Sequence, residues 1–518
     1  MSGVALAAGG FTAPSISYSG LSPVLIVFGA AGLGVLVEAF VPRDRRGGLQ
    51  VVLASAACIA ALVASILLAG RHELTAANAV AIDGPALFID GTLAGLGLIS
   101  VLLLAERSLD SAGSALVAQA AVTVGSSADR ALATARRVQT EAFPLMTFAL
   151  GGMMLFPASN NLLVMFVSLE VLSLPLYLLA GLARRRRLLS QEAAVKYFLL
   201  GAFASAFFLY GLALLYGYAG TVSLSGILAS AGGTGKGDTL LLIGLGLLVV
   251  GLLFKASVAP FHTWTPDVYQ GAPTPVTAFM GSCTKVAAFG ALLRIFYVAF
   301  NSTTWDWRPI MWAIAVISMV VGAVLGLTQT DIKRLLAYSS IAHAGFLLVG
   351  VIALNPSGLS GTLFYLLAYG FSTVGAFAIV TLVRTSGGEA THLSQWAGLA
   401  KRSPLVAGMF TVFMLSLAGV PLTSGFIAKF VIFKAGIDSG LGLLVVIALV
   451  TSAVAAFYYL RVVVLMYFSD PAEDGPTVAV PSAFTGAVLA VSVAVTIFLG
   501  ILPQSILDVA DKAAHFVS

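Results

Sequence analysis

Long apolar runs recur along almost the whole chain, and they determine its architecture. About 20 consecutive apolar residues cross the hydrocarbon of a bilayer as a helix, so each run predicts one span. The runs are continuous and do not alternate between apolar and polar positions, which indicates helices and excludes a membrane β-barrel. We predict an all-α polytopic membrane protein with fourteen spans, at residues 21–42, 49–70, 87–105, 143–158, 160–182, 190–218, 239–270, 272–300, 309–329, 331–354, 359–385, 403–437, 439–468 and 481–502.

Two of the predicted spans, the seventh and the twelfth, are too long for one straight crossing. At a rise of about 1.5 Å per residue, a helix of more than thirty residues overshoots a hydrocarbon core of about 30 Å. Each of the two contains a helix-breaking sequence, around Ser257 to Pro260 in the seventh and around Gly419 to Pro421 to Gly425 in the twelfth. Broken helices that carry ionisable groups are typical of transport proteins.

The two breaks lie five spans apart, which indicates two copies of a five-helix unit. An odd number of helices per copy inverts the second copy relative to the first in the membrane. We therefore divide the chain into residues 1–142, with three helices and a cytoplasmic insertion at 106–142, a first repeat at 143–300 with helices 4–8, a second, inverted repeat at 301–468 with helices 9–13, and a final helix within 469–518.

Basic residues are concentrated in alternate loops, and this pattern predicts the orientation. The loops after odd-numbered spans contain sixteen of the 27 Lys and Arg residues, whereas the loops after even-numbered spans and the C-terminal tail contain four. Because positively charged loops stay in the cytoplasm, we expect both termini on the outer side of the cell inner (plasma) membrane. The first twenty residues contain no Lys or Arg, so they lack the basic region of a signal peptide.

The overall composition excludes several other classes of function. Hydrophobic residues make up 59% of the chain and charged residues 9%, which a soluble core could not cover. The net charge of +5 has no pattern that resembles a nucleic-acid surface. The two cysteines, Cys58 and Cys283, lie inside apolar runs and support neither a disulfide framework nor an iron–sulfur cluster. No cluster of His, Cys and carboxylate residues has metal-ligand spacing.

Seven basic residues fall inside the predicted spans. Arg294, Lys434 and Arg461 lie toward helix ends, where we expect a long side chain to extend to the headgroups. A charge at the bilayer centre costs about 2.5 to 3.5 kcal/mol, so the remaining lysines require partners or water and indicate a function. These four central residues are Lys196, Lys255, Lys285 and Lys429.

Glu170, five residues before Pro175, is the acidic partner that we predict for these lysines. A nearby carboxylate favours protonated lysine, whereas desolvation favours neutral lysine. Movement of Glu170 relative to Lys196 or Lys255 would therefore change the proton affinity of that lysine.

Three further polar residues in the predicted spans have competing interpretations. His343, midway through span ten, is a candidate relay because imidazole titrates near neutral pH, although a satisfied core histidine is an equal alternative. His262 and Asp267 lie in the first break, where we expect them to satisfy the exposed backbone of the turn.

Three strings of the sequence closely resemble one protein family. They are HTWTPDVYQGAPTPVTAF after the first break, AAVKYFLLGAFASAFFLYG around Lys196 and SLEVLSLPLYLLAG around Glu170. They resemble the N subunits of proton-pumping NADH-quinone oxidoreductase, respiratory complex I, and the resemblance extends from about residue 20 to 502. Sister antiporter-like subunits and subunits of multi-subunit cation/proton antiporters typically carry histidines where this chain has TAFMGSCTKVAAF. Lys285 in place of histidine favours the N-subunit family.

The resemblance implies that the chain translocates protons along an intramembrane axis, driven by redox chemistry in other subunits. Lys255 would be the central carrier and Lys429 the residue nearer the exit, with Glu170, Lys196 and Lys285 also transferring protons. NADH, FMN, iron–sulfur clusters and quinone would belong to other subunits, so this chain would bind no cofactor or metal and would have no redox site of its own. Its partners would be the other complex I membrane subunits, including sister antiporter-like subunits, and membrane lipid.

Two alternatives stay open at this point. A subunit of an Mrp-type cation/proton antiporter would use the same lysines but couple to a sodium gradient, and a non-translocating scaffold would keep the lysines merely satisfied. The segment from Arg107 to Glu141 departs from the usual pattern of the family, and the sequence gives it no interpretable motif.

Overall fold

The computed structural model describes residues 15–517, apart from 110–113, 118, 120–121, 129–130, 132–138, 232–237, 386 and 472–474. Within the described part, eleven helices are long and apolar enough to cross a membrane, and three shorter apolar helices accompany them. These helices coincide with the predicted spans, which confirms the all-α polytopic class. The count of fourteen crossings and the inverted repeats stay predictions. The predicted insertion at 106–142 contains several of these gaps, so its conformation is described only in part.

The N-terminal block contains three long helices and one hairpin. Helices α1 (Ser22–Phe40) and α2 (Arg43–Leu67) pack against each other, and α3 (Gly84–Leu104) packs against α2. Strand β1 (Glu73–Thr75) pairs antiparallel with β2 (Val80–Ile82) between α2 and α3. The side chain of Asp83 caps α3 by accepting a hydrogen bond from the Ala86 amide.

The described part of the predicted first repeat contains seven helical segments, α4 (Ala142–Ala158), α5 (Leu162–Ala180), α6 (Arg187–Ala219), α7 (Leu224–Ala231), α8 (Thr239–Lys255), α9 (Trp264–Gly271) and α10 (Thr274–Ala299). The predicted break is present, because α8 ends at Lys255 and helix resumes only at Trp264. The Trp264 indole donates to the Phe254 carbonyl and so satisfies part of the broken backbone. α10 contains π-helical turns at Met280–Thr284 and Ile295–Ala299, the first directly before Lys285.

The rest of the chain contains α11 (Thr304–Leu327), α12 (Ile332–Ala353), α13 (Pro356–Leu382), α14 (Leu399–Arg402), α15 (Pro404–Ala418), α16 (Ser424–Asp438), α17 (Gly442–Phe468), α18 (Ala483–Ile501) and α19 (Gln504–Ala513). Strand β3 (Val383–Thr385) pairs antiparallel with β4 (Gly388–Glu389) and β5 (Thr477–Val478), and 3₁₀ turns lie at Asn301–Thr303 and Leu393–Trp396. The second predicted break is also present, between Ala418 and Ser424.

Three helices, α10, α12 and α13, form the centre of the molecule. Their most apolar stretches are 100%, 94% and 94% buried, whereas those of α1, α2 and α6 are 33% buried. Glycine permits close packing of α11 on α12, because a Cβ at Gly322 would lie 2.4 Å from the Ala342 nitrogen. Lys285 on α10 and His343 on α12 are therefore enclosed by protein.

The expectation that Arg294 extends to the headgroups is wrong. Its side chain and that of Asp83 are both 0% exposed, and the guanidinium donates two hydrogen bonds to the carboxylate at 2.9 and 2.7 Å. The Val517 amide donates to the same carboxylate at 3.1 Å, and the Phe516 ring lies 4.8 Å from the guanidinium carbon. A carboxylate more than two hundred residues away was therefore available to pair this arginine in the interior.

Candidate functional site

Lys255, the last residue of α8, lies in an aromatic enclosure beside the first break. Its side chain is 3% exposed, and Nζ donates to the Tyr197 hydroxyl at 3.3 Å. The same Nζ lies 5.1 Å from the centre of the Tyr197 ring and 5.5 Å from that of Tyr177. Trp264, just beyond the break, stacks on Tyr197 with centroids 4.5 Å apart. The helix C-terminus and the ring faces are both favourable surroundings for a cation.

Glu170 lies on α5 within electrostatic range of Lys255 and Tyr177. No ion pair within 4.0 Å joins Glu170 to Lys255, both of which belong to the described residues. One carboxylate oxygen, Oε1, is buried and forms no hydrogen bond with any described residue. The structure thus places Glu170 near the lysine that we predicted as its partner, without a direct ion pair between the two.

Lys196 has different partners from those that the sequence suggested. Its Nζ lies 2.6 Å from Glu192 on the same helix and 2.6 Å from Asp267 on α9, and its side chain is 40% exposed. The other oxygen of Asp267 lies 2.7 Å from Arg334. Asp267 therefore fixes the turn after the break to both α6 and α12, which agrees with the structural role expected for it.

Lys285, on α10, contacts α12 one helical turn before His343. The Lys285 ammonium donates to the Ser340 carbonyl at 2.6 Å and lies 5.7 Å from the centre of the Tyr369 ring. One helical turn later, His343 Nδ1 lies 2.7 Å from the Tyr365 hydroxyl and Nε2 lies 3.3 Å from the Tyr459 hydroxyl. Both side chains are almost fully buried.

Lys429 lies on α16, just after the second break, and is held by the backbone that the break exposes. Its Nζ donates to the carbonyls of Leu417 and Ala418, the end of α15, at 3.1 and 2.8 Å, and to the Ser452 hydroxyl at 2.9 Å. The ammonium also lies 5.1 Å from the centre of the Phe346 ring. Helix ends have carbonyls without intrahelical partners, so a lysine there satisfies two of them.

One helix therefore connects three of the predicted residues. Lys285 binds at Ser340, His343 follows three residues later, and Lys429 contacts Phe346 after a further three. Residues three apart lie on one side of a helix, so α12 aligns these groups in sequence. Glu170 and Lys255 form a second group beside the first break, next to the aromatic rings of Tyr197 and Trp264.

The sequence reasoning missed the tyrosines that surround these groups. Tyr177 and Tyr197 enclose Lys255, whereas Tyr365 and Tyr459 contact His343, and Tyr459 also contacts Ser339 through a short hydrogen bond. The signal that could have indicated them is a tyrosine in the middle of an apolar run, because a buried hydroxyl needs a hydrogen-bond partner.

The arrangement is suited to proton transfer and offers little to a metal. Among the described residues, no group of three His, Cys, Asp or Glu side chains could hold a metal ion. Lys255, Lys285 and Lys429 are at most 6% exposed, and every hydrogen bond described for their ammonium groups ends on a neutral oxygen. Burial of an ammonium group without a paired carboxylate costs several kcal/mol. A change in the surroundings that alters this cost therefore changes the affinity of the lysine for a proton.

Comparison with known proteins gives a consistent result across the chain. The family model described as NADH:quinone oxidoreductase/Mrp antiporter, transmembrane, matches residues 159–455. The chain is 63% identical over 511 residues to NADH-quinone oxidoreductase subunit N of Saccharopolyspora erythraea, covering 98% of this chain and 99% of that protein. It is 61% identical over 503 residues to the protein of the same name from Parafrankia sp., covering 97% and 96%.

Solved structures resemble the chain over almost its whole length. A chain of respiratory complex I from Thermus thermophilus has a TM-score of 0.77 and 34% identity, with 95% of this chain and 100% of that chain covered. A chain of the Mrp complex from Dietzia sp. has a TM-score of 0.79 at 22% identity, with 96% and 97% covered. The second likeness, at this low identity, concerns the fold alone.

Proposed function

Because this chain belongs to the N-subunit family of NADH-quinone oxidoreductases, we propose that Glu170, Lys196, Lys255, Lys285, His343 and Lys429 carry the protons that it translocates. As an antiporter-like membrane subunit of complex I, it works beside other membrane subunits of that complex. The energy for translocation comes from NADH oxidation and quinone reduction.

The burial of three lysines without a paired carboxylate carries this proposal. Lys255, Lys285 and Lys429 are 3%, 1% and 6% exposed, yet the described oxygens that accept their hydrogen bonds are all neutral. A purely structural lysine at such depth would be stabilised by a fixed counter-ion or replaced by an apolar residue. Groups whose charge is balanced only weakly can gain and lose a proton with small changes around them.

In the proposed mechanism, Glu170 controls the proton on Lys255. Approach of the carboxylate stabilises the ammonium form, and its withdrawal leaves an ammonium whose contacts among the described residues are the Tyr197 hydroxyl and two aromatic rings. The released proton moves to Lys285 and then along α12 by way of His343 to Lys429. Moving one charge against 100 mV costs about 2.3 kcal/mol. A change of under two units in the pKa of a lysine, at about 1.36 kcal/mol per unit, would match this cost.

Lys196 takes a more peripheral place in this proposal. Its side chain is 40% exposed and contacts Glu192 and Asp267. This position suits exchange of protons between Lys255 and the side of the membrane on which the basic loops lie. The adjacent residue, Tyr197, is the hydrogen-bond partner of Lys255. Movement of Lys196 would therefore also move Tyr197, the next residue of α6, and change its hydrogen bond with Lys255.

We further propose that the redox chemistry of the complex lies outside this chain, with NADH, FMN, iron–sulfur clusters and quinone bound by other subunits. The sequence contains two cysteines, both buried, whereas a cluster held by thiolates needs four. The membrane is proposed to be the bacterial inner membrane, with both termini outside, in agreement with the distribution of basic loops.

Replacement of Lys255 by Ala tests the proton-transfer proposal. In inside-out vesicles that contain the assembled complex, we expect loss of most NADH-driven proton pumping, measured with a pH-sensitive dye. The matched control is Lys434→Ala, which removes an exposed lysine from α16 and should leave pumping unchanged. Full pumping by an assembled Lys255→Ala complex would favour the scaffold alternative.

The Mrp-type alternative is tested by the composition of the purified assembly. We expect the chain to purify with subunits that reduce quinone in the presence of NADH. Purification in an assembly without redox cofactors would refute the complex I assignment and favour coupling to a sodium gradient.

A further inference from the structure

A polar cavity of about 600 Å³ opens at the end of the molecule where α12 ends. The ends of α10 and α12, the beginning of α11 and the end of α16 enclose it. Its walls include Tyr297, Asn301, Thr304, Arg308, Asn355 and Asp438. None of the residues that line it belongs to the proposed proton path.

The polar groups of Asn355 and Ser439 at the floor of the cavity are satisfied by internal hydrogen bonds. Asn355 Nδ2 donates to the Ser439 hydroxyl at 2.7 Å and to the Ala435 carbonyl at 3.1 Å, while its Oδ1 accepts from the Gly358 amide. The Ser439 hydroxyl donates to the Ala353 carbonyl at 2.8 Å. Leu354 lies between them with a φ of +49°, a conformation that costs an L-residue energy and that is concentrated at ligand sites.

Two opposite charges line this cavity without pairing with each other. Arg308 donates one hydrogen bond, from Nη2 to the Ser439 carbonyl at 3.0 Å, and its Nε is buried with no partner among the described residues. Asp438 is exposed and forms no ion pair with a described residue. The cavity thus presents a guanidinium on one wall and a carboxylate on another.

Apolar side chains exposed toward the bilayer flank the cavity. Trp305, three residues before Arg308, is 90% exposed, which is typical of tryptophan at the membrane–water interface. Ile310, Ile317 and Val324 are also exposed and follow one another at seven-residue spacing along α11. Because residues seven apart lie on one side of a helix, these side chains form a track that runs from the cavity into the membrane.

We propose that this cavity binds the headgroup of a zwitterionic aminophospholipid, with its phosphate on Arg308 and its ammonium on Asp438. One acyl chain would then lie along Ile310 and Ile317. Charge complementarity selects this occupant, because a phosphodiester without an amine would leave Asp438 unpaired beside another negative charge. A trimethylammonium headgroup could not donate the hydrogen bonds that a carboxylate accepts from a primary ammonium.

The proposal predicts which lipids stay bound to the intact complex. We would purify the complex, exchange it into nanodiscs of phosphatidylethanolamine, phosphatidylcholine or phosphatidylglycerol, wash it in detergent, and measure retained lipid by mass spectrometry. Wild type should retain phosphatidylethanolamine. Arg308→Gln and Asp438→Asn should each retain about tenfold less, because each removes one charge-assisted hydrogen-bond partner.

Matched controls on the same face separate this site from general charge effects. Lys512→Gln and Asp511→Asn remove exposed charges from α19, outside the cavity, and should retain phosphatidylethanolamine as wild type does. Asp438→Asn should also shift the preference toward phosphatidylglycerol. That variant lies at an exposed position and decides the question if Arg308→Gln fails to assemble.

Three results would overturn the proposal. The first is equal retention of phosphatidylethanolamine by wild type and Asp438→Asn. The second is retention of phosphatidylglycerol by wild type as strong as that of phosphatidylethanolamine. The third is competition by free O-phosphoethanolamine as effective as that of the intact lipid, which would assign the cavity to a soluble aminophosphate.

Discussion

The Lys196 ammonium lies 2.6 Å from Asp267 Oδ2, while Arg334 lies 2.7 Å from the other oxygen of the same carboxylate. One acidic residue after the first break thus joins helices of both predicted repeats, α6 from the first and α12 from the second. Lys196 is paired with carboxylates, whereas the hydrogen bonds described for Lys255, Lys285 and Lys429 end on neutral oxygens. We therefore expect substitution of Lys196 and substitution of these three lysines to have different effects on proton pumping.

Replacement of Lys196 by Ala should therefore reduce proton pumping less than replacement of Lys255. Partly exposed ion pairs contribute about 0.2 to 1 kcal/mol, so a double-mutant cycle of Lys196→Ala and Asp267→Asn should give a coupling energy in that range. Thermal unfolding of the complex supplies the stabilities, and dye quenching supplies the pumping rates. Loss of pumping in Lys196→Ala as complete as in Lys255→Ala would move Lys196 into the central path.

Removal of the Tyr365 hydroxyl should slow proton transfer at His343. Tyr365→Phe keeps the ring but leaves His343 Nδ1 without its partner at 2.7 Å. We expect a lower pumping rate in vesicles with a normal amount of assembled complex. Tyr210→Phe is the matched control, because Tyr210 is 62% exposed on α6. An unchanged rate in Tyr365→Phe would exclude this tyrosine from the path.

Substitution of Gly419 by Ala should disturb Lys429. A Cβ there would lie 3.0 Å from Lys429 Cδ and 3.1 Å from its Nζ, and the residue has a φ of +86°. Gly440→Ala is the control, since Gly440 has a φ of +76° but no atom within 4 Å of its would-be Cβ. Both variants should lose about 1 to 2 kcal/mol from the left-handed conformation. Only Gly419→Ala should lose pumping, and equal pumping by the two would show that Lys429 tolerates displacement.

The buried pair of Arg294 and Asp83 should contribute strongly to stability. Arg294→Met would leave a carboxylate in the interior with only the Val517 amide and the Ala86 amide as described partners. Breaking one side of such a pair costs about 3 to 5 kcal/mol. We expect poor assembly or a much lower thermal midpoint on native gels and in scanning assays. Arg461→Met, at an exposed arginine, should change little, and similar behaviour of the two variants would contradict this account.

Glu106 should make the stability of the protein depend on acid pH. Burial acts to raise the pKa of this carboxyl, but hydrogen bonds from Ser108, Ser482 and Thr485 outweigh it and hold the pKa at about 2. A lowered pKa in the folded state stabilises the protein above the ordinary value of 4.5, and this contribution is lost as the pH falls from 4.5 toward 2.

The Glu106→Gln variant measures this contribution. The thermal midpoint of wild type should fall between about pH 5 and pH 3, and that of Glu106→Gln should fall less over the same range. Asp44→Asn, at an exposed carboxylate on α2, should follow wild type. Parallel curves for wild type and Glu106→Gln would show that the hydrogen bonds to Ser482 and Thr485 do not survive in solution.

Periodicity and composition predicted the helices well because the bilayer imposes a length and an apolar character on each one. The two breaks were also predictable, since proline and glycine act on the backbone of their own segment. The cavity beside Arg308 and the tyrosines around Lys255 and His343 were not, because they arise from side chains that meet across distant helices.

The sequence alone determined the class of the protein, the positions of its spans and breaks, its family, and which buried charges need an explanation. All of these depend on local properties, on the cost of placing charge in hydrocarbon, or on recognisable strings of residues. Only the tertiary structure decided the partners, pairing Lys196 with Asp267 and Arg294 with Asp83 while leaving Lys255 to aromatic rings. Packing brings together residues up to several hundred positions apart, and no local pattern records which of them will meet.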